Sequence, residues 1–180
     1  MLFEIAWEVC NQVGGIYTVI RTKVPAMVDK WSDDYVLLGP YFPQRASSEF
    51  EAIDAEDSPV GRVVKLMREQ GFTVHYRYWL VTGKPRVVLF DIASLKPRLD
   101  VIKYNLWENH QLSTLGVEEL VNQVLAFGEA VRVFLTEFAA ANAKKTKITA
   151  QFHEWMASSG LADLRKENVK VATVFTTHAT

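Results

Sequence analysis

Three stretches of this 180-residue chain hold side chains suited to chemistry rather than to packing: Gln12 to Tyr17, His153-Glu154-Trp155, and Thr177-His178. Gly14 and Gly15 carry no Cβ, so backbone there can come close to a ligand. A helix that follows them would turn unsatisfied N–H groups and a positive dipole end toward an anion, which suits a diphosphate. Taken alone the pair also reads as ordinary turn chemistry, being neither a G-x-G-x-x-G fingerprint nor a lysine-bearing phosphate loop. His153 beside Glu154 sets an imidazole next to a carboxylate, a pairing that binds sugar hydroxyls or positions a reacting group. The plainer reading of Glu154 is an acidic residue at a helix N-terminus. His178, flanked by Thr176, Thr177 and Thr180, can donate to a substrate oxygen or satisfy local backbone. His75 reads as structural, and His110 lies in an irregular segment without an evident partner. The histidines are scattered and no carboxylate cluster recurs at helical spacing, so no metal site is expected. Trp79, Trp107 and Trp155 have faces that stack on sugars, although tryptophan more often packs in a core.

The elements that would position these residues follow from the apolar spacing. Leu2 to Trp7 reads as a buried strand and Ile16 to Trp31 as a helix, kinked or restarted at Pro25, with the glycine pair between them. Tyr35 to Leu38 is a second strand, Tyr41 to Pro59 a polar surface loop, and Val60 to Gln70 a helix closed by Gly71. Phe72 to Leu80 alternates with period two and Arg86 to Asp91 follows across a tight turn, which predicts an antiparallel pair. Ile92 to Gly116 is irregular. Val117 to Ala140 carries the clearest amphipathic helix. Ile148 to Phe152, a helix over Met156 to Lys166, and Val169 to Thr176 form a βαβ unit with parallel strands. The class is α/β, and all three suspicious clusters fall at the carboxyl ends of strands, where open α/β sheets bind ligands.

Composition narrows the partners. With 20 basic and 21 acidic side chains, nothing draws the chain to nucleic acid or to an anionic membrane. The single cysteine, Cys10, rules out an intrachain disulfide and a thiolate zinc site and fits a reducing compartment. Glu4 and Glu8 interrupt the apolar start, which is unlike a secretory signal, and no apolar run approaches the roughly 20 residues that span a bilayer. A soluble, cytoplasmic protein is expected.

The motifs FEIAWEVCNQVGGIYTVI, RYWLVTGKPRVVLFD, QFHEWMA and VATVFTTHAT resemble, in the same order and over essentially the whole chain, the eukaryotic-type glycogen synthases, a family of retaining glycosyltransferases (family 3). The resemblance implies a GT-B fold, two Rossmann-like domains with a nucleotide sugar in the cleft between them. Residues 1–180 would be the truncated N-terminal, acceptor-side domain, an incomplete Rossmann-like three-layer sandwich, with the nucleotide-binding domain absent. It implies glucose transfer from UDP-glucose (or ADP-glucose) to the nonreducing end of glycogen or another α-1,4-glucan, without metal or other cofactor. Gly14 and Gly15 would approach the donor diphosphate, Glu154 would lie near the transferred glucose, and His178 would hydrogen-bond that glucose and stabilise developing charge. Gln12 departs from the family, which usually has Lys or Arg there; an amide cannot supply a charge-assisted hydrogen bond to phosphate. Ser158 stands where a small Gly commonly follows the HEW-x-A segment. The chain stops just after a predicted strand, so the fold looks unfinished and the isolated fragment is expected to be inactive. The alternative is a noncatalytic glucan-binding module, and an open sheet edge could promote self-association into a homo-oligomer.

Overall fold

The computed structural model describes residues 1–46, 49–53 and 57–178. Its centre is a seven-stranded sheet in the order β3-β4-β5-β2-β1-β6-β7. The strands are β1 (Leu2–Ile5), β2 (Tyr35–Pro40), β3 (Phe50–Ala52), β4 (Val74–Trp79), β5 (Arg86–Phe90), β6 (Thr149–His153) and β7 (Ala172–Thr176). Five strands run parallel; β4 is antiparallel to β5, as the short connection predicts, and β3 is antiparallel to β4.

Helices cover both faces, giving the expected three layers. On one side lies α1 (Gly15–Trp31), whose Tyr17, Ile20 and Val24 pack on Leu2, Ala6 and Leu37. Pro25 sits inside this helix without ending it. On the other side lie α3 (Pro59–Glu69) and α5 (Glu119–Asn142), with α6 (Glu154–Ser158) and α7 (Leu161–Lys166) beside them. Ser58 caps α3 by accepting from the Gly61 amide at 2.9 Å, with Pro59 in the first turn where its missing N–H costs nothing. The core of this side is aromatic: Phe3 meets Phe134 and Phe138 edge-on at 5.3 and 4.8 Å.

The segment expected as one helix over 156–166 is two, separated by Ser159 and Gly160. There the chain presses on α5: a Cβ on Gly128 would stand 1.9 Å from Ser159 Oγ, and one on Gly160 2.2 Å from the Gly128 carbonyl oxygen. Two segments read as irregular hold structure. Residues 41–59 contain α2 (Pro43–Ala46) and β3, with residues 47–48 and 54–56 of that predicted loop lying outside the described ones. Residues 92–110 form a 3₁₀ segment (Ile92–Arg98) and α4 (Leu99–His110), which rests on α5 through Ile102, Leu106 and Leu125. His110 therefore has a partner after all, its Nε2 lying 2.8 Å from Asp163 Oδ1. Among the described residues no helix is long and apolar enough to cross a membrane.

Candidate active site at the strand-order switch

Strand order reverses at β1. From it the chain crosses over α1 on one face to β2, whereas β6 leads over α6 and α7 on the other face to β7. Connections that diverge to opposite faces leave a crevice beyond the strand ends, the usual ligand position in such sheets. The loop after β1, the end of β6 and the end of β7 meet there.

The loop folds back over β2 because Gly39 lets it: a Cβ at that position would stand 2.7 Å from Val9 Cβ. It delivers Glu8 to the start of α1, where Glu8 Oε2 accepts from the Gly14 amide at 2.6 Å and the Tyr17 amide at 3.1 Å. The anion at this helix N-terminus is thus a side chain of the protein itself. A diphosphate at the glycine turn would meet the Gly15 and Ile16 amides, or displace Glu8. A Cβ on Gly15 would meet nothing within 4 Å, so packing does not require glycine there. Gln12 opens onto a groove of about 430 Å³ along α1, which it shares with Thr18 and Arg21. Arg21 brings a cation to a groove whose Gln12 is neutral.

His153 closes β6 and is buried, while His178 is exposed one strand over. Their rings face each other, with His153 Nδ1 2.7 Å from His178 Nε2. Glu154 adopts φ +60°, a left-handed conformation that costs a residue other than glycine about 1–2 kcal/mol, and its carboxylate accepts from the backbone N–H of His178. The structure thus brings His178 and Glu154 together and sets the glycine turn at a neighbouring strand end.

Glu4, unremarked in the sequence except as a break in the apolar start, lies beneath them. It is fully buried in β1, its Oε1 2.6 Å from His153 Nε2. Lys23 of α1 pairs with the same oxygen and the Tyr35 hydroxyl donates to Oε2. Burial pushes the Glu4 carboxyl up, but the hydrogen bond to His153, then the Lys23 charge and the Lys23 and Tyr35 hydrogen bonds, outweigh it and leave the group below its ordinary value. Tyr35 is driven upward by burial and by the Glu4 charge, so it stays a phenol and a donor. The signal available in the sequence was a carboxylate within an otherwise apolar strand, since a buried charge has to be paired.

Other candidates fall away. His75 stacks on Tyr41 with ring centres 4.0 Å apart, and burial, with Arg77 and Arg68 nearby, lowers its basicity, so it is a neutral packing group. Burial and the Glu49 carboxylate hold the Cys10 thiol far above its usual value, which makes it unreactive. Trp79 is fully buried and donates to Glu49 at 3.1 Å, whereas Trp107 and Trp155 are half exposed. Among the described residues no group of three or more His, Cys, Asp or Glu is arranged to hold a metal ion.

Similar proteins share this architecture and sequence. The catalytic domain of starch synthase IV from Arabidopsis thaliana, solved with ADP and acarbose bound, superposes with a TM-score of 0.54 over 98% of this chain and 33% of that one, at 14% identity. It shows a shared Rossmann-like α/β fold. Liver glycogen [starch] synthase of Homo sapiens is 42% identical over all 180 residues, and glycogen [starch] synthase of Dictyostelium discoideum 41% over 182. The chain spans 26% and 20% of the lengths of these relatives. The glycogen synthase family model matches residues 4–180, taking in the glycine turn, the buried Glu4 and both histidines, and the chain belongs to that family.

Proposed function

We propose that this chain forms the acceptor-side half of a retaining glucosyltransferase site, acting on UDP-glucose or ADP-glucose and the nonreducing end of an α-1,4-glucan. The observation that carries the reading is the meeting of His178, Glu154 and His153 at the switch crevice, beside a glycine turn open above Gly15. His178 offers a ring nitrogen to a glucose hydroxyl, Glu154 fixes the loop that carries it, and the Gly15 and Ile16 amides face the donor phosphates. The opposing wall of the cleft, with the base-binding groups, belongs to a second Rossmann-like domain. The 180-residue chain alone is accordingly inactive.

The reading is tested by grafting these residues in place of the matching segment of the human liver relative. The soluble graft is expected to transfer labelled glucose to glycogen and to lose transfer with His178→Ala, while the isolated chain transfers none. Transfer by the isolated chain, or an active graft indifferent to His178→Ala, overturns it.

A second reading has its own support on α4. Tyr104 and Trp107, one helical turn apart and 62% and 49% exposed, border an apolar cleft of about 450 Å³ together with Lys103 and Asp100. Aromatic faces beside charged hydrogen-bonding groups suit a glucan chain, and this surface would hold it with or without catalysis.

A further inference from the structure

Glu4 is a charge inside the sheet that the proposed reaction does not itself use. Its carboxylate can only accept hydrogen bonds, so the His153 Nε2 facing it at 2.6 Å carries a hydrogen. That leaves His153 Nδ1 and His178 Nε2, 2.7 Å apart, to share one proton between them. With both rings neutral, His178 Nε2–H donates to His153 Nδ1, and His178 presents a bare Nδ1. When a proton is added at that Nδ1, the Nε2 proton of His178 passes to His153 Nδ1. The result is an imidazolium at His153 against the Glu4 carboxylate and a neutral His178 presenting Nδ1–H.

We propose that Glu4 and His153 are positioning residues that fix the ring orientation and tautomer of His178, and that a proton taken up by the pair comes to rest on His153 rather than on His178. The groups that face this pair are Glu4 from β1, Lys23 from α1 and Tyr35 from β2 behind it, and Glu154 at the His178 amide. Lys23 shares Glu4 Oε1 with His153 and the Tyr35 hydroxyl donates to Oε2, so the carboxylate cannot turn aside. His178, exposed on its outer side, keeps one ring nitrogen for the crevice whichever form the pair takes. The inference rests on the transferase reading only for what His178 meets.

The test is long-range ¹H–¹⁵N correlation on the histidine-labelled 180-residue chain, titrated without sugar or nucleotide. The expected result is that both neutral rings carry their hydrogen on Nε2, and that protonation appears first as an imidazolium at His153 with His178 turned to its Nδ1–H form. In Glu4→Gln, whose amide can donate as well as accept, His153 is no longer held to one tautomer, and both its Nε2–H and Nδ1–H forms should be seen. A neutral His153 with its hydrogen on Nδ1, or first protonation at His178, overturns the proposal, and the wild-type spectrum alone decides this should Glu4→Gln fail to fold. In the graft, Glu4→Gln should cut kcat at least about tenfold with donor KM within about twofold, the mark of a lost orienting group. An unchanged kcat overturns the positioning role. Because the spectra contain no substrate, failure of transfer in the graft leaves the tautomers standing, and a wrong tautomer leaves the transferase reading standing.

Discussion

Glu4→Gln is an almost isosteric change at a fully buried site, so its effect on stability reports charge rather than volume. Taking one partner from a buried ion pair costs about 3–5 kcal/mol, because the remaining charge stays unpaired. Here the remaining cation is Lys23, whose side chain is 29% exposed and can turn its ammonium toward water. The low end, about 3 kcal/mol, is therefore expected at pH 7. Against a total stability of about 5–15 kcal/mol, the variant still folds. The acid limb supplies a second check. Folding lowers the Glu4 pKa, so its stabilisation is complete above the unfolded value of about 4.3 and is lost as pH falls through the folded value. Urea titrations from pH 7 to 3 should show the gap between wild type and Glu4→Gln closing in acid. A Lys23→Met background should shrink the cost of Glu4→Gln by 1 kcal/mol or more, a coupling on the order expected for side chains in contact. A gap under about 1 kcal/mol at pH 7 that stays constant into acid would refute the reasoning.

Two predictions concern ligands. Gln12→Lys in the grafted enzyme should tighten nucleotide-diphosphate binding by about 1 kcal/mol, roughly fivefold, in titration calorimetry, with the gain fading in high salt; unchanged affinity would mean that the phosphates lie away from the glycine turn. Trp107→Ala should weaken retention of the chain in glycogen-containing native gels severalfold, in line with about 1 kcal/mol for one aromatic stacking face. Equal mobility shifts would dismiss the α4 surface as a glucan platform.

What the sequence makes legible depends on whether local spacing and final environment agree. β4 alternates because Val74 and Tyr76 pack on one face of the sheet, with Trp79, out of that phase, buried on the other, and α5 shows its stripe because one long face is buried. α4 hides itself: its buried contacts are Ile102 and Leu106, while Tyr104 and Trp107 point outward, so large apolar residues blur the helical period. β3 is too short to show any period, at three residues within a polar run. In the site, His178 and Glu154 stand out as polar residues at strand ends, whereas Glu4 takes its meaning from His153, 149 residues away, and from Tyr35 and Lys23 on other elements. No window along the chain contains that set.

The same set explains why the sheet tolerates a carboxylate at its centre. A cluster of apolar side chains in place of Glu4, Lys23, Tyr35 and His153 would be about as stable or more so, since buried ion pairs rarely repay their desolvation. Stability therefore gives no reason for the charge. On the proposal made above, the reason lies at the end of the chain of contacts, where the cluster emerges into the crevice as one exposed ring, His178. In the proposed order each member narrows the choices of the next: His153, Lys23 and Tyr35 together keep Glu4 ionised, Glu4 would fix which nitrogen of His153 holds hydrogen, and His153 which nitrogen of His178 faces outward. A histidine held only by packing would offer both tautomers and two ring flips, whereas in the arrangement we propose His178 turns one nitrogen outward in one place.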